Sequence, residues 1–436
     1  MTTSAPRERN WRRVAGTMGA QVSNQVVTVA TQVLLVPVLL HAWGVDRYGA
    51  WLLLSAIPTY LTLTDFGFTA IAKNEMTMSV ARGERDAALR TYQSVFVLLC
   101  GISVLTMAVV AIAADWLHLT ALWPLAGTSE VDAGRVLVIL SLGVVLFQFM
   151  LLGAAGMRAL GRPAEEVLWG ATARLAEAAF AGAAALMGGD FVAAALAMLA
   201  ARLLLTAALF VRLFFLARWL RPLGRHLSMS EMSRLLGPSL SYMCYIGGVA
   251  VMGQGPVLAL GAIGSPRDIV VFSATRTLTR LGVSAANVLT FSLSPEYSRL
   301  FGSGDHQRFA RFALAGIGLI AGMALIYVGA LEWLGGTILA FWTSGEVVAI
   351  QPFLRLLLGA VACEMIWSAG FAPLAATNRH VGASHAFLAI SLVAVGACFL
   401  LPPAFALSGI GIVLFVVNFT MILVIAWLAR RHWRIR

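Results

Sequence analysis

Residues Val95–Ala114 read VFVLLCGISVLTMAVVAIAA, a stretch of twenty positions without a single charged side chain. A bilayer core of roughly 30 Å takes about 20 apolar residues as one α-helix, so this stretch predicts a membrane-spanning helix. The composition of all 436 residues agrees, because 60% are hydrophobic, only 12% are charged, and the mean hydropathy is +0.85. Such a chain is more apolar than a soluble core of this size requires, and we expect it to lie in lipid.

Similar apolar windows predict an all-α integral membrane protein with twelve transmembrane helices. The basic segment 1–13 precedes a long, polar-studded apolar stretch without a short h-region, so we expect no cleaved signal peptide. The predicted spans lie near 15–40, 48–72, 92–113, 135–157, 164–187, 191–217, 239–262, 269–294, 308–330, 350–374, 383–402 and 407–429.

Basic residues are distributed unevenly over the predicted loops. With twelve spans, 23 of the 31 Lys and Arg residues fall on one side of the membrane, and only Arg47, Arg135 and Arg267 fall on the other. The positive-inside rule makes the first side cytoplasmic and places both termini there. The net charge of +11 therefore indicates contact with anionic lipid at the cytoplasmic face, and we expect no nucleic-acid partner.

The polar segment 219–237 divides the chain into two halves. Ser228 and Glu231 have capping-box spacing, and they predict a short amphipathic surface helix that ends at Gly237–Pro238. We therefore expect an N-lobe at 1–218, a cytoplasmic connector at 219–237 and a C-lobe at 238–436. Six spans per half imply two parallel lobes related by a pseudo-two-fold axis. The halves also resemble each other at one constant offset along the chain, in the pairs Glu75/Glu296, Thr77/Ser298, Gly83/Gly304, Glu84/Asp305 and Arg90/Arg311.

Arginines inside the predicted spans are the strongest functional signal. Each costs roughly 2.5–3.5 kcal/mol at mid-bilayer and must face protein or water. Arg276 and Arg280 lie one turn apart and cannot neutralise each other, so they predict a site for an anionic ligand such as phosphate. Pairing with a carboxylate such as Glu364 or Glu177 is the alternative. The two arginines belong to one polar stripe of the eighth span, formed by Ser273, Arg276, Arg280, Ser284, Asn287 and Ser294.

Other polar side chains inside the predicted spans are further candidates. For Asn24, Gln25, Gln32 and Asn287 two interpretations stay open, binding of a sugar or its path and hydrogen bonding between helices. Asp65 and Glu364 are candidates for ion coupling or gating, and for Asp65 a brace to a basic residue is the alternative. Arg174 and Glu177, three residues apart on one helix, predict a structural ion pair.

Motifs of soluble enzymes are missing from the sequence. It contains no GxxxxGK[ST], H-E-x-x-H or GxSxG motif. Its seven histidines and four cysteines show no metal-ligand spacing. We expect no enzymatic activity, no metal and no cofactor.

Several short motifs in the first hundred residues resemble one family. They are YGAW at 48–51, SAIP at 55–58, TDFGF at 64–68, Asn74 and ARGE at 81–84. In these the chain resembles the polysaccharide-repeat flippases of the multidrug/oligosaccharidyl-lipid/polysaccharide (MOP) exporter superfamily, while the second half matches mostly by pattern.

The resemblance implies a MATE-like fold and a specific function. It implies that an undecaprenyl-pyrophosphate-linked oligosaccharide crosses from the inner to the outer leaflet of a bacterial inner membrane by alternating access, for synthesis of surface polysaccharide such as the O-antigen of lipopolysaccharide. The partners to expect are the lipid-linked oligosaccharide, a proton or sodium ion, a polysaccharide polymerase and glycosyltransferases.

Two other functions stay open. A cation-coupled multidrug exporter of the same superfamily requires an acidic and aromatic cavity, and the basic stripe argues against it. A non-transporting membrane component of polysaccharide assembly is the other, and its polymerase form requires a large extracytoplasmic loop. The longest such loop predicted here, near 114–134, has about 21 residues.

Overall fold

The structure is a computed structural model that describes residues 6–116, 128–221, 226, 228–264, 266–342 and 347–432. Every regular element in these ranges is helical, as the predicted all-α class requires. Short 3-10 turns lie at Leu61–Asp65 and Pro403–Phe405. The α-helices of the described ranges are α1 (Pro6–Tyr60), α2 (Phe68–Ala81), α3 (Arg85–Trp116), α4 (Glu130–Ala159), α5 (Pro163–Leu186), α6 (Phe191–Leu216), α7 (Met229–Ile263), α8 (Pro266–Gly302), α9 (His306–Trp342), α10 (Gln351–Ala376), α11 (Val381–Cys398) and α12 (Ala406–His432).

Helix α1 contains the first predicted span and the first part of the second. The two parts meet at Gly44, whose φ of 76° and ψ of 173° are not helical. A residue that carries a side chain rarely adopts this backbone conformation, whereas glycine adopts it without a steric penalty. The sequence predicts a loop between these two spans, and the structure has a kink at Gly44 instead.

The prediction of one continuous second span at 48–72 is wrong. The helix stops at Tyr60, a 3-10 turn follows, and α2 begins only at Phe68. Phe66 and Gly67 have φ values of 48° and 77°, in the left-handed region that a right-handed helix excludes. A hydropathy window averages over about 20 residues and cannot detect such a local break.

Eight of the described helices are long and apolar enough to cross a membrane, namely α3, α4, α6, α7, α9, α10, α11 and α12. The other predicted spans fall in α1, α2, α5 and α8, which carry most of the polar and charged positions singled out above, whereas Glu364 lies in α10 and Asp65 in the 3-10 turn. The protein is therefore a multi-pass membrane protein whose least apolar helices carry most of the candidate site residues.

The chain divides into two compact units, Met1–Leu236 (unit 1) and Gly237–Arg436 (unit 2). Their helices follow the same series at the predicted offset, the one that leads from Glu75 to Glu296. Helices α3 and α9 start at Arg85 and His306, and α4 and α10 start at Glu130 and Gln351. Helices α4 and α10 are also the most buried of the eight apolar spans, with 50% and 67% of their windows inside the protein. The repeat is therefore present in the helix boundaries as well as in the residue types.

The connector differs from its prediction in one respect. A separate surface helix does not end at Gly237–Pro238, because α7 begins at Met229 and runs through both residues to Ile263. A proline inside a helix removes one backbone hydrogen bond and clashes with the carbonyl four residues before it, which a helix of 35 residues can tolerate. One half of the predicted capping box is present, since the Ser228 Oγ accepts from the Glu231 backbone N–H at 3.2 Å, whereas the Ser228 N–H donates to Ser94 Oγ at 3.1 Å and not to Glu231.

Candidate functional site

A cavity of about 520 Å³ lies inside unit 2, between α7, α8, α10, α11 and α12. Four predicted site residues line it, Arg276, Arg280, Asn287 and Glu364. The polar stripe of the eighth span therefore faces protein, as the cost of placing arginine in lipid requires.

Arg280 forms a two-pronged ion pair with Glu364 in this cavity. Its Nη1 and Nη2 donate to Oε2 and Oε1 of the glutamate, each at 2.9 Å. The planar guanidinium matches the carboxylate in this geometry, which gives the stronger form of such pairs. Of the two interpretations that the sequence left open for Arg280, the structure shows the carboxylate pair.

Arg276 donates its hydrogen bonds to backbone carbonyl groups of α7. Its Nη1 donates to the Gly253 oxygen at 2.6 Å and its Nη2 to the Met252 oxygen at 2.9 Å. The Met252 oxygen is free to accept because Pro256 lies four residues later and has no N–H to donate to it. Arg276 thus replaces a hydrogen bond missing from α7, and its charge meets no carboxylate of its own among the described residues.

Unit 1 contains a cavity of its own, of about 620 Å³, lined by Arg174, Glu177 and Arg202. The predicted pair of Arg174 with Glu177 is wrong, because Glu177 forms its ion pair with Nε of Arg202 on α6. Residues three apart on a helix can meet, but the α6 arginine reaches the carboxylate directly across the helix interface. Arg202 also lies over the Phe147 ring, 4.7 Å from its centroid.

Arg174 makes its hydrogen bonds to neutral groups of α1. Its Nη1 donates to Asn24 Oδ1 at 3.1 Å and to Thr28 Oγ1 at 2.5 Å. Asn24, a predicted sugar ligand, is therefore engaged by an arginine of its own unit. Gln25 is exposed, and the side chain of Gln32 lies outside the described side chains.

Asp65 occupies the break between the 3-10 turn and α2. Its Oδ1 accepts from the Gly67 N–H at 3.0 Å, and its Oδ2 accepts from the Thr69 hydroxyl. Asp65 is buried, and its carboxylate binds these two donors beside the start of α2, whose N-cap residue is Gly67. The structure shows no basic brace for it among the described residues. Within the same ranges, no group of three or more His, Cys, Asp or Glu is arranged to hold a metal ion.

Solved structures of transporters are similar to the whole chain. An outward-facing multidrug resistance MATE family transporter of the MOP superfamily matches with a TM-score of 0.72 and 15% identity, over 98% of this chain and 96% of that chain. A MATE protein in the bent conformation matches with a TM-score of 0.75 and 14% identity, over the same shares. A MOP superfamily transporter from Pyrococcus furiosus Vc1, described as having a binding pocket of reverse polarity that suggests a different function, matches with a TM-score of 0.70 and 15% identity, over 97% and 96%. No family model and no curated protein sequence matches the chain.

The chain has the MATE fold. That fold has twelve transmembrane helices in two lobes, so the predicted fold class is confirmed. At identities this low the likeness concerns the fold and not the substrate.

In this MATE fold the two cavities occupy equivalent positions of the internal repeat. The α4 residues Leu140 and Gly143 line the unit 1 cavity, and their repeat counterparts, Val361 and Glu364, line the unit 2 cavity. Asn24, which binds the unit 1 arginine, corresponds to Tyr245 of the unit 2 cavity wall. Each cavity holds two arginines and one glutamate.

Sequence reasoning missed two participants of these cavities. Arg202 lies inside the predicted span 191–217, and its role depends on a neighbour from another helix, Glu177. Asn418 lines the unit 2 cavity, and its Oδ1 accepts from Trp367 Nε1 at 2.8 Å. The signal that could have revealed it is its amide, a polar group in the otherwise apolar α12.

Proposed function

We propose that the protein translocates an anionic amphiphile across the membrane, of the undecaprenyl-pyrophosphate-linked oligosaccharide class, and that the unit 2 cavity binds its phosphate groups. The observation that supports this proposal most is the charge of that cavity. Arg276 and Arg280 face one carboxylate, Glu364, and that carboxylate is already paired with Arg280. One positive charge is left for a ligand.

The chemistry of arginine explains why this charge selects an anion. A guanidinium stays protonated at any physiological pH, so the cavity cannot become neutral by losing a proton. Its planar fork binds phosphate oxygens through two hydrogen bonds at once. Arg276 is held by two carbonyl oxygens, and this fixes the position of its charge before a ligand arrives. Asn287 and Asn418 of the same cavity add amide groups that can bond sugar hydroxyls.

The fold supports transport in general. The similar structures are transporters of the MATE family or the MOP superfamily, and the two-unit repeat is of the kind that alternating access uses. The Pyrococcus protein is described as having a pocket of reverse polarity, so a change of pocket charge has a precedent in this fold. For our chain we propose a bacterial inner-membrane location with cytoplasmic termini, and a polymerase and glycosyltransferases as partners.

A cation-coupled multidrug exporter is the second candidate, favoured by the MATE family transporter with multidrug resistance among the similar structures. A cationic drug requires an available carboxylate in the cavity. Here Glu364 is paired with Arg280 at 2.9 Å, and the cavity carries net positive charge. The geometry therefore supports an anionic substrate better.

The test is flipping of a fluorescent undecaprenyl-diphosphate oligosaccharide in proteoliposomes, with and without a proton or sodium gradient. We expect the wild-type protein to flip the lipid. We expect Arg276→Gln to slow flipping on the order of tenfold or more, because a hydrogen bond to a charged group is worth about 1.5–3 kcal/mol. Arg135→Gln, which removes an exposed arginine paired with Asp132, is the control for the lost charge and should flip normally.

The other outcomes separate the rival functions. Normal flipping by Arg276→Gln keeps the flippase and removes the arginine site. Export of a cationic dye without lipid flipping supports the multidrug exporter. If the protein moves neither probe under any gradient, a non-transporting role in polysaccharide assembly becomes the better description.

A further inference from the structure

We infer that the unit 1 cavity is a second anion-binding site, in which Arg174 receives an oxyanion of the phosphate or sulfate class. The sequence had pointed to a structural role for Arg174 through Glu177, and the structure frees it from that pairing. The site is separate from the Arg276 site of the proposed function, because it is built by α1, α5 and α6 of unit 1.

Arg174 is held in place through one of its three guanidinium nitrogens. Both of its hydrogen bonds use Nη1 and go to neutral acceptors, Asn24 and Thr28. The Thr28 hydroxyl donates its proton to the backbone carbonyl of Asn24 at 2.7 Å. The lone pairs of the Thr28 oxygen are therefore left to accept from the Arg174 guanidinium. Within the described ranges, Nη2 and Nε of Arg174 donate to no protein oxygen. The side chain is therefore oriented by one nitrogen, and its other donors are available to a ligand.

Arg174 has no carboxylate as a direct ion-pair partner among the described residues. Arg174 lies eleven residues after Pro163, the first residue of α5, or about 16 Å along the helix axis at 1.5 Å per residue. That depth is near the middle of a span, where an uncompensated guanidinium is expensive. The side chain is exposed and lines the cavity, and among the described residues no carboxylate lies within ion-pair distance of it. A bound anion would supply the missing negative charge.

The residues around Arg174 in the unit 1 cavity also favour an anion. Arg202 also lines the cavity, and its pair with Glu177 leaves a net charge of one positive unit when Arg174 is counted. The hydroxyl residues Ser55 and Thr62 add polar groups to the cavity wall. Two arginines, one glutamate and hydroxyl groups around about 620 Å³ match the chemistry of a phosphate or sulfate group better than that of a cation.

The anion can come from a soluble phosphate or from a lipid headgroup, and the experiment distinguishes them. The full chain is placed in nanodiscs of neutral phosphatidylcholine, and inorganic phosphate is titrated in by calorimetry. We expect two bound phosphates for the wild type and one for Arg276→Gln. Adding Arg174→Gln to Arg276→Gln should abolish binding, whereas adding Arg135→Gln should leave one phosphate bound. In nanodiscs that contain phosphatidylglycerol, loss of the Arg174-dependent phosphate would identify the lipid headgroup as the occupant.

The inference is overturned if Arg276→Gln binds no phosphate, or if its remaining phosphate persists in the double variant. It is also overturned if Arg174→Gln only lowers the unfolding temperature and leaves the stoichiometry unchanged, because Arg174 would then be a brace between α1 and α5. If the Arg174 variants do not fold, crystals of the unaltered protein soaked in selenate decide the question. Anomalous signal beside Arg174 supports the site, and signal beside Arg276 alone removes it. None of these readouts requires transport, so the failure of the proposed flippase activity would be seen separately.

Discussion

The unit 1 and unit 2 cavities have the same charges but draw them from different helices. Unit 1 takes its arginines and glutamate from α5 and α6, whereas unit 2 takes them from α8 and α10. At the repeat positions of Arg276 and Glu364, unit 1 has Ser55 and Gly143. The two units therefore share the backbone and the place of the cavity. Their charged residues, however, stand at positions that do not correspond in the repeat. Two arginines and one glutamate in both cavities indicate a requirement of the cavity itself.

The two ion pairs also differ in burial. The side chains of Arg202 and Glu177 are 14% and 13% exposed, whereas those of Arg280 and Glu364 are 39% and 18% exposed. A pair in contact with a water-filled cavity is screened, and a pair without water is not. The ion pair is thus more buried in unit 1, and the arginine of the unit 2 pair is more accessible.

The largest expected effect tests this difference in burial. Glu177→Gln leaves Arg202 buried without a counter-charge, and we expect it to lower the free energy of unfolding by about 3–5 kcal/mol. Glu364→Gln should cost less, because Arg280 can turn toward the cavity. The measurement is the thermal unfolding midpoint of the purified protein in detergent.

A third pair completes this series. Glu332 pairs with Arg355, and their side chains are 39% and 66% exposed. For Glu332→Gln we expect a loss of about 0–1 kcal/mol, as is usual for exposed pairs. The order Glu177, Glu364, Glu332 is the expected outcome. Equal shifts for all three variants would show that burial does not distinguish the two cavities.

The second prediction compares the starts of α5 and α11, which are equivalent helices of the repeat. Unit 1 has Arg162 at the cap position, exposed and paired with Glu165. Unit 2 has His380, which is fully buried and whose Nε2 lies 3.1 Å from the Pro238 carbonyl oxygen. Burial, helped by the charge of the neighbouring His385, lowers the pKa of His380 from 6.5 to about 4, although the hydrogen bond to Pro238 acts in the opposite direction. The cap position of α11 is therefore occupied by a residue that acid can charge, His380, whereas that of α5 is occupied by a permanently charged one, Arg162.

The sign of the pH effect follows from where His380 binds its proton. Above pH 6.5 the ring is neutral in both the folded and the unfolded chain, so its full contribution to stability is present. As the pH falls from 6.5 toward 4, the unfolded chain gains a proton that the folded chain cannot accept. The free energy of unfolding then falls by up to about 3 kcal/mol.

Unfolding midpoints at about pH 7 and about pH 4.5, on either side of the ordinary histidine pKa, measure this effect. His380→Gln keeps a donor for the Pro238 carbonyl and should lose less stability on acidification than the wild type. His385→Gln is the matched control and should keep most of the wild-type acid sensitivity. An acid-induced loss that is the same in His380→Gln and in the wild type would assign the effect to other groups.

The sequence predicts the helices and the arginine stripe better than it predicts the partners of the arginines. Hydropathy gives the number of the spans and most of their places, because each span must be apolar over about 20 residues, but it misses the break between Tyr60 and Phe68. The spacing of Arg276 and Arg280 places them on one face, and the cost of charge in lipid turns that face toward protein. These steps need no knowledge of the neighbouring helices.

The partners depend on helix packing, which spacing along one helix cannot supply. Glu177 lies three residues from Arg174, yet Arg202 of the next helix takes the carboxylate. The predicted second span places Asp65 inside a helix, whereas the break at Phe66 and Gly67 places it in a turn, where its carboxylate accepts from the Gly67 N–H. Local sequence rules therefore fail where a contact between helices competes with a contact within one helix.

The smallest expected effect concerns how each cavity holds its arginine that lacks a carboxylate. Arg174 depends on the side chains of Asn24 and Thr28, whereas Arg276 depends on backbone carbonyls, one of them left free by Pro256. Pro256→Ala restores an N–H that can donate to the Met252 oxygen, so Arg276 loses part of its role in α7. We expect Arg276→Met to destabilise the wild-type protein by about 1–3 kcal/mol, and by about 1 kcal/mol less in the Pro256→Ala background.

A double-mutant cycle on thermal unfolding measures that coupling, and α7 supplies its own control. Pro238 is a second proline in the same helix, and the carbonyl that it frees, four residues earlier at Arg234, is not an acceptor of Arg276. Pro238→Ala should therefore show no coupling with Arg276→Met beyond about 0.5 kcal/mol. Coupling of equal size at both prolines would mean that Arg276 responds to a general change in α7. Coupling confined to Pro256 would mean that the carbonyl freed by Pro256 holds the unit 2 arginine, whereas in unit 1 two side chains of α1 hold it.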